Sequence, residues 1–255
     1  EHWQEILKNN TCDRIVTFGT DEKSDMRATM IEHVSDKGEL SMRFHASGVL
    51  EGNIVVGLPG RFNIFNAMCA ACVCAELGIS LEDICHGLEH VKVRGRVETM
   101  SVSEDFSVLI DYAHNEISAR SVLTTLREYN PKRIISIFGC GGNRSRDRRF
   151  TMGETIGRLS DLSIITADNP RRENVLDIIE DIKVGMEKSD GEYVAIPDRQ
   201  EAVTYAIAHA KKGDMIILLG KGHEDYQEVN GVQYHYGERE AVANAMKEVY
   251  NKDIK

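Results

Sequence analysis

Four short clusters of charged, histidine and glycine residues lie within the last 150 residues of the chain. The clusters are Asp111–Asn115, Gly139–Arg149, Ala167–Arg172 and Gly220–Tyr226. In the third cluster, Asp168-Asn169-Pro170-Arg171 sets an acid, an amide and a guanidinium around a proline, which restricts the backbone on both sides. Arginine offers a planar fork to a carboxylate, and a carboxylate can hold an ammonium group. These residue types therefore fit a zwitterion.

The fourth cluster strengthens this interpretation, because Gly220–Tyr226 contains lysine, histidine, glutamate and aspartate side chains directly after an apolar run. Packing alone does not explain so many ionisable groups beside a buried strand. A structural interpretation of the third cluster stays open beside the functional one, since Asp168 or Asn169 could instead cap a following helix.

The other two clusters are less specific. Gly139-Cys140-Gly141-Gly142 follows a predicted strand but lacks the full G-x-G-x-x-G spacing, so it fits a nucleotide loop or a tight turn equally well. It is followed by Arg144, Arg146, Arg148 and Arg149. These arginines either form a solvated surface or include one that binds a carboxylate or phosphate. His114 is either hydrogen-bonded in place or catalytic.

Each cluster directly follows a short apolar run that is typical of a buried strand. The predicted strands are Phe106–Ile110, Arg133–Phe138, Leu162–Thr166 and Met215–Leu219. Helical patterns lie at Glu116–Tyr129, Thr151–Leu159, Val175–Lys188 and Arg199–Lys211. With one more strand at Tyr193–Ile196, this order predicts about five parallel strands covered by helices on both faces. Since such strands share a carboxyl edge, the clusters should line one crevice.

The ends of the chain show other patterns. Asn-Gly within Glu228–Gln233 predicts a tight hairpin, and a closing helix is predicted at Glu238–Tyr250. In the first hundred residues, a strand-like run at Arg14–Phe18 precedes a predicted hairpin of Ala28–Val34 and Glu39–Phe44. Helices are predicted at Asn63–Leu77 and Leu81–Val91, and a domain boundary near Val97–Met100.

Composition excludes several classes of protein. A chain of 255 residues with 42% hydrophobic content can bury a full core, and its net charge of −10 argues against a nucleic-acid partner. No apolar run approaches the roughly 18 residues of a membrane span. Six scattered cysteines indicate reduced thiols and a cytoplasmic protein. Cys69, Cys72 and Cys74 fall in one alanine-rich helix and are predicted to be core residues, not metal ligands.

The clusters, taken with two earlier segments, resemble the Mur ligase family of bacterial cell-wall synthesis. The matching segments are Leu58–Asn63, Gly95–Glu98, Asp111–His114, Phe138–Gly142, Asp168–Arg171 and Gly220–Tyr226, in that order. The likeness covers essentially the whole chain, and the pair DNPR and GKGHEDY is its most specific part. It implies the late part of an α/β central ATPase domain over residues 1–97. A C-terminal domain, with a Rossmann-like mainly parallel sheet and helices on both faces, follows over 98–255.

The resemblance implies an ATP-dependent amide-bond ligase that uses Mg²⁺ and works as a monomer. Its reaction would add meso-diaminopimelate to UDP-MurNAc-L-Ala-D-Glu through an acyl phosphate. The DNPR motif marks diaminopimelate users in the family, and a lysine-adding or other relative stays the alternative. Lysine lacks a distal carboxylate, so it would leave a recruited arginine unpaired.

The resemblance also implies roles for individual residues. The amino acid would be bound by Arg149, Asp168, Asn169, Arg171, Gly220 and Glu224. The nucleotide site would include Asn63, Arg96, Asp111 and His114. His114 and Lys221 would be catalytic, and no residue of the chain is implied as a metal ligand.

One departure from the family pattern leads to a further expectation. The glycine-rich phosphate loop with Lys and Ser/Thr does not occur in the sequence. The chain is therefore expected to be a piece of a longer protein and unable to ligate alone; phosphate release with ATP and both substrates would refute that. Two other classes stay open, a nicotinamide-dependent oxidoreductase and a non-catalytic amino-acid-binding module.

Overall fold

The computed structural model describes residues 10–36 and 39–253 together with residues 5 and 8. The first part of the chain forms a four-stranded sheet of β1 to β4 in sequence order. Its strands are Phe18–Gly19, Met26–Asp36, Glu39–Gly48 and Gly52–Val56. Helices α1 (Arg61–Glu76) and α2 (Leu81–His90) belong to the same part, and its core includes Met42, Phe44, Ile54 and Met68.

The hairpin predicted in this part is confirmed, because β2 pairs with β3 in antiparallel register. Its turn residues Lys37 and Gly38 lie outside the described residues. The strand predicted at Arg14–Phe18 is wrong, since only Phe18–Gly19 pairs with β2. Strand β4 is not predicted, because its apolar run is short and follows a glycine. The core interpretation of the cysteines holds for Cys72 but not for Cys69, which is exposed.

The second part contains a six-stranded sheet in the order β5-β6-β10-β7-β8-β9. Its strands are Glu98–Met100, Ser107–Asp111, Asp214–Leu219, Arg133–Phe138, Leu162–Ile165 and Glu192–Ala195. Five of them run parallel, as predicted, and β5 is an antiparallel edge strand. The edge strand is not predicted, because three residues carry too little pattern.

Helices cover both faces of this sheet. Helices α3 (Glu116–Arg127), α4 (Asp147–Leu159) and α5 (Val175–Met186) pack on one face, and α6 (Arg199–Ala208) and α7 (Glu238–Tyr250) pack on the other. Side chains of β10 alternate between the two cores, with Ile217 in the first and Ile216 in the second. Burial on both faces explains why its sequence is a continuous apolar run.

The remaining hairpin is formed by β11 (Tyr226–Val229) and β12 (Val232–His235). Asn230 and Gly231 both have positive φ, 54° and 79°, as the predicted Asn-Gly turn requires. No helix among residues 10–36 and 39–253 is both long and apolar enough to cross a membrane.

Candidate functional site

The four clusters meet in one cavity of about 120 Å³ at the carboxyl edge of the parallel strands. It is lined by Tyr112, His114, Gly139, Gly141, Arg144, Arg148, Asp168, Asn169, Arg171, Gly220 and Glu224. These residues follow β6, β7, β8 and β10, which are direct neighbours in the sheet. The parallel sheet therefore brings together side chains that lie up to 112 residues apart, such as Tyr112 and Glu224.

One side of the cavity is acidic. The side-chain amide of Asn169 donates to Oε2 of Glu224 at 2.9 Å, which holds that carboxylate beside Asp168. Burial raises the pKa of Asp168, and the charges of Arg199 and Lys221 oppose this effect. Two carboxylates held this way can accept hydrogen bonds from an ammonium group.

Lys221 lies behind this side and does not line the cavity. Its ammonium group donates to Oδ1 of Asn169 at 3.2 Å and lies 3.5 Å from Glu224. It also faces the rings of Tyr226 and Tyr236, at 5.6 and 5.8 Å from their centres. Burial lowers the pKa of Lys221. This geometry makes Lys221 a support for the acidic side chains, whereas the resemblance implies a catalytic role.

A buried ion pair beneath the cavity joins the two binding loops. Arg199 and Glu238 are 2% exposed each, with Nε of the arginine 3.1 Å from Oε1 of the glutamate. The same guanidinium donates to the carbonyl oxygens of Ala167 and Leu219 at 3.0 and 2.9 Å. These carbonyls directly precede Asp168 and Gly220, so the pair fixes one loop relative to the other. No sequence signal marks Arg199, because its partners come from distant strand ends.

The cavity is also lined by basic side chains, those of Arg144, Arg148 and Arg171. Arg149, which the resemblance assigns to a carboxylate of the amino acid, does not line it. Its guanidinium is 2% exposed and donates to Asp181 at 2.9 Å and to Glu173 at 2.7 Å. The guanidinium of Arg149 is therefore paired with carboxylates of the chain itself and does not face the cavity.

Among the other arginines of this loop, Arg146 is also paired with Asp181, at 2.9 Å. Arg144 is exposed, and the one contact recorded for its guanidinium is a carbonyl of its own loop at 3.5 Å. The family resemblance missed Arg144. The sequence signal for it was the run of four arginines, of which one was expected to bind a carboxylate or phosphate.

Arg171 is held in an unusual backbone conformation, with φ at 54°. Its Nη1 donates to the carbonyl oxygen of Gly142 at 2.9 Å. A Cβ on Gly142 would lie 1.9 Å from the carbonyl oxygen of Pro170, and one on Gly141 would lie 2.7 Å from Nη1 of Arg171. The glycines therefore allow one loop to pack on the other. Packing between the two loops thus accounts for these glycines, so they do not by themselves support the dinucleotide site of the oxidoreductase interpretation.

His114 projects into the same cavity. Its Nδ1 lies 2.9 Å from the carbonyl oxygen of Tyr112, which can only accept a hydrogen bond, so Nδ1 carries a proton. In the neutral ring Nε2 is then an acceptor. His114 is thus separated from the other residues that the resemblance assigns to the nucleotide.

Those residues, Asn63, Arg96 and Asp111, line a second cleft of about 490 Å³. Its apolar walls are Leu58, Phe62, Val93, Val97 and Val122. Asp111 accepts hydrogen bonds from the backbone of Val97 and Ala113, at 2.7 Å each, and burial raises its pKa. Arg96 lies over the ring of Tyr112, 5.4 Å from its centre. Because Tyr112 also lines the first cavity, this residue separates the two sites.

Among residues 10–36 and 39–253, no group of three or more His, Cys, Asp or Glu side chains could hold a metal ion. The described residues therefore do not by themselves fit a Mg²⁺ site of the usual oxygen-rich kind.

Comparison with protein families gives two matches. The Mur ligase middle domain matches residues 1–74. The Mur ligase, glutamate ligase domain, matches residues 95–222, which include the first three clusters and the beginning of the fourth.

Individual relatives point to the same family. The chain is 38% identical over 253 residues to UDP-N-acetylmuramoyl-L-alanyl-D-glutamate–2,6-diaminopimelate ligase 1 of Clostridium acetobutylicum, covering 98% of this chain and 51% of that protein. It is 41% identical over 236 residues to the ligase of this name from Alkaliphilus oremlandii, covering 92% and 48%. A solved structure of such a ligase matches with a TM-score of 0.74 at 27% identity, over 97% and 51%. The chain spans about half the length of these relatives.

Proposed function

We propose, from the premise that the chain belongs to the Mur ligase family, that it provides the amino-acid site of an ATP-dependent amide-bond ligase. The reaction would add meso-diaminopimelate to UDP-MurNAc-L-Ala-D-Glu, through an acyl phosphate, during synthesis of the peptidoglycan precursor. The relatives in Clostridium acetobutylicum and Alkaliphilus oremlandii carry a name for this activity.

One observation carries the proposal, namely that both basic and acidic side chains line the one cavity. Arg144, Arg148 and Arg171 supply guanidinium groups, whereas Asp168 and Glu224 supply carboxylates. A molecule with two carboxylates and two ammonium groups matches this set of side chains better than lysine, which has one carboxylate. Each guanidinium left without an anion in a closed site would lower affinity.

The chain's own residues would orient the amino acid for attack. Arg171 would bind one carboxylate, and Arg144 is the exposed arginine best placed to bind another. Glu224 and Asp168 would hold an ammonium group at the other side. Holding both ends of the nucleophile reduces the entropy that is lost in reaching the transition state.

The attacking amine must lose a proton as the amide bond forms. His114 is the group proposed to accept it, because Nδ1 is committed to the carbonyl of Tyr112 and Nε2 is an acceptor in the neutral ring. Lys221 is proposed to position Asn169 and Glu224 and not to contact the substrate, since it is fully buried behind them.

ATP would supply the phosphoryl group that activates the carboxylate of the other substrate. The apolar cleft beside Asn63 and Arg96 fits a base and ribose, with the guanidinium as a partner for an anionic group. The described residues do not fit a Mg²⁺ site, so no step is assigned to the metal here.

The proposal is tested by calorimetric titration of the 255-residue chain with meso-diaminopimelate, L-lysine and NADH in parallel. Selective binding of diaminopimelate is expected. Binding of NADH alone would favour the oxidoreductase. Absence of diaminopimelate binding at about 10 mM, well above the usual range of KM values, would contradict an amino-acid site in this chain.

A further inference from the structure

The β11–β12 hairpin contacts the Asp168–Arg171 loop, and one of the contacting residues, Glu228, has no part in the function proposed above. We propose that Glu228 is a positioning residue that determines specificity, by orienting the Arg171 guanidinium toward a carboxylate of the amino acid. This inference rests on the proposed function for the identity of the ligand. Its geometry does not depend on that identity.

Backbone contacts first fix Glu228 beside the loop. The amide of Glu228 donates to Oδ1 of Asn169 at 2.9 Å, and its carbonyl accepts from the amide of Arg171 at 3.0 Å. The carbonyl of Arg171 accepts in turn from the amide of Asn230 at 2.5 Å. Arg171 is therefore held on both sides by the hairpin, and these contacts need no particular side chain at position 228.

The side chain of Glu228 adds a contact that does depend on residue type. Its Oε2 lies 3.3 Å from Nε of Arg171, while Nη1 of the same guanidinium donates to Gly142. The Glu228 contact is an ion pair without hydrogen-bond geometry, so it restrains the planar guanidinium by charge while the Nη1 hydrogen bond restrains it by direction. Among the described residues, Nη2 has no hydrogen-bond partner, and Arg171 lines the cavity.

Charge gives a second reason for an acid at this position. Three guanidinium groups, those of Arg144, Arg148 and Arg171, line one small cavity and repel one another. Without an anion nearby, Arg171 would be free to turn away toward solvent, since its side chain is 23% exposed. Glu228 provides that anion outside the cavity, so a ligand carboxylate can still reach the guanidinium.

Binding of meso-diaminopimelate and L-lysine to Glu228→Ala and Glu228→Gln provides the first test. We expect Glu228→Ala to weaken diaminopimelate binding about threefold, the scale of a partly exposed ion pair, with L-lysine binding unchanged. Glu228→Gln keeps an oxygen that can face Nε, so its diaminopimelate affinity should fall less than that of Glu228→Ala. In an Arg171→Ala background, Glu228→Ala should have no further effect.

Glu240→Ala is the matched control, because this carboxylate contacts His235 of the same hairpin at 2.7 Å and lies outside the cavity lining. It should behave as the unmodified chain. Equal losses for both amino acids in Glu228→Ala, or an undiminished effect in the Arg171→Ala background, would overturn the positioning role.

A second readout needs no ligand and separates this inference from the proposed function. The Nε–H signal of Arg171 in a ¹H–¹⁵N spectrum, identified by its loss in Arg171→Ala, should shift in Glu228→Ala and not in Glu240→Ala. An unchanged signal overturns the positioning role whatever the titrations give. A shifted signal in a chain that binds no diaminopimelate supports it and counts against the proposed ligand alone.

Discussion

Gly220 faces the carboxylate of Asp168 so closely that a Cβ at Gly220 would lie 2.7 Å from Oδ2. The glycine also has a φ of 111°, which other residues rarely adopt. The loops that follow β8 and β10 thus contact each other through Asp168 and Gly220, and this contact leaves no room for a side chain at position 220. The position of the Asp168 carboxylate depends on this glycine as well as on the buried Arg199–Glu238 pair.

Replacing Gly220 with alanine should displace Asp168 and strain the backbone. We expect a loss of about 1–3 kcal/mol in the free energy of unfolding, together with weaker binding of diaminopimelate. Urea unfolding and calorimetric titration would measure both effects. Gly78→Ala is the control, since Gly78 has a φ of 79° but nothing within 4 Å of a Cβ. Equal losses in the two variants would show that the contact with Asp168 is unimportant.

Arg171→Ala should separate the two diamino acids. The variant removes the guanidinium while keeping a Cβ in the same backbone conformation, so the change acts mainly on ligand binding. Diaminopimelate affinity is expected to fall roughly a hundredfold and lysine affinity to change little, because only diaminopimelate has a second carboxylate. Parallel titrations would measure the ratio. Similar losses for both ligands would contradict the assigned role.

Replacing Arg144 should affect ligand binding, whereas replacing Arg149 should affect stability. Arg144→Ala is expected to weaken amino-acid binding without changing the unfolding midpoint, because Arg144 is exposed. Arg149→Ala should instead cost about 1–2 kcal/mol of stability, since Glu173 loses its arginine and Asp181 keeps only Arg146. Denaturant unfolding and titration of both variants would distinguish them. A stable Arg149→Ala chain that fails to bind would restore the role implied by the family resemblance.

The same network predicts how stability depends on pH. The hydrogen bond from Arg146, helped by Arg149, holds the pKa of Asp181 below its ordinary 3.8, and Arg149 holds the pKa of Glu173 below 4.5. The unfolded chain then binds more protons, so this stabilisation is complete above about pH 5 and is lost as pH falls through the lowered pKa values.

Urea unfolding of Asp181→Asn from about pH 3 to pH 7 tests this dependence. The variant should be less stable than the unmodified chain at pH 7, and the difference should shrink toward pH 3. Asp190→Asn changes an exposed aspartate and serves as the control. A difference that stays constant over the whole range would contradict the lowered pKa of Asp181.

Much of the second part of the chain could be predicted from its sequence, because its strands are buried on both faces and its helices are amphipathic. Helix α7 begins and ends where the pattern predicts, at Glu238 and Tyr250. Helix α4 begins at Asp147, earlier than the predicted Thr151. Its first turn is rich in charged residues, so it carries no apolar periodicity, and its helical state depends on the tertiary partners of Arg149.

The loops that form the candidate site could be predicted from the sequence, but the contacts between their side chains could not. Glu173 and Asp181, which lie 24 and 32 residues after Arg149, bind that arginine and leave Arg144 and Arg148 to line the cavity. No local pattern contains that information. No local pattern predicts that His114 and Asn63 are separated either. The two residues line different clefts, and Tyr112 lies between these clefts.

The left-handed backbone at Arg171 affects which residues can replace this arginine during evolution. Asparagine, aspartate and glycine adopt that conformation at lower cost than arginine, so each would relax the loop while removing the guanidinium. Mutation without selection would therefore move this position away from arginine, which would remove the conformational cost together with the guanidinium. Under the role proposed for Arg171, arginine is kept here because it discriminates between ligands, in spite of that cost.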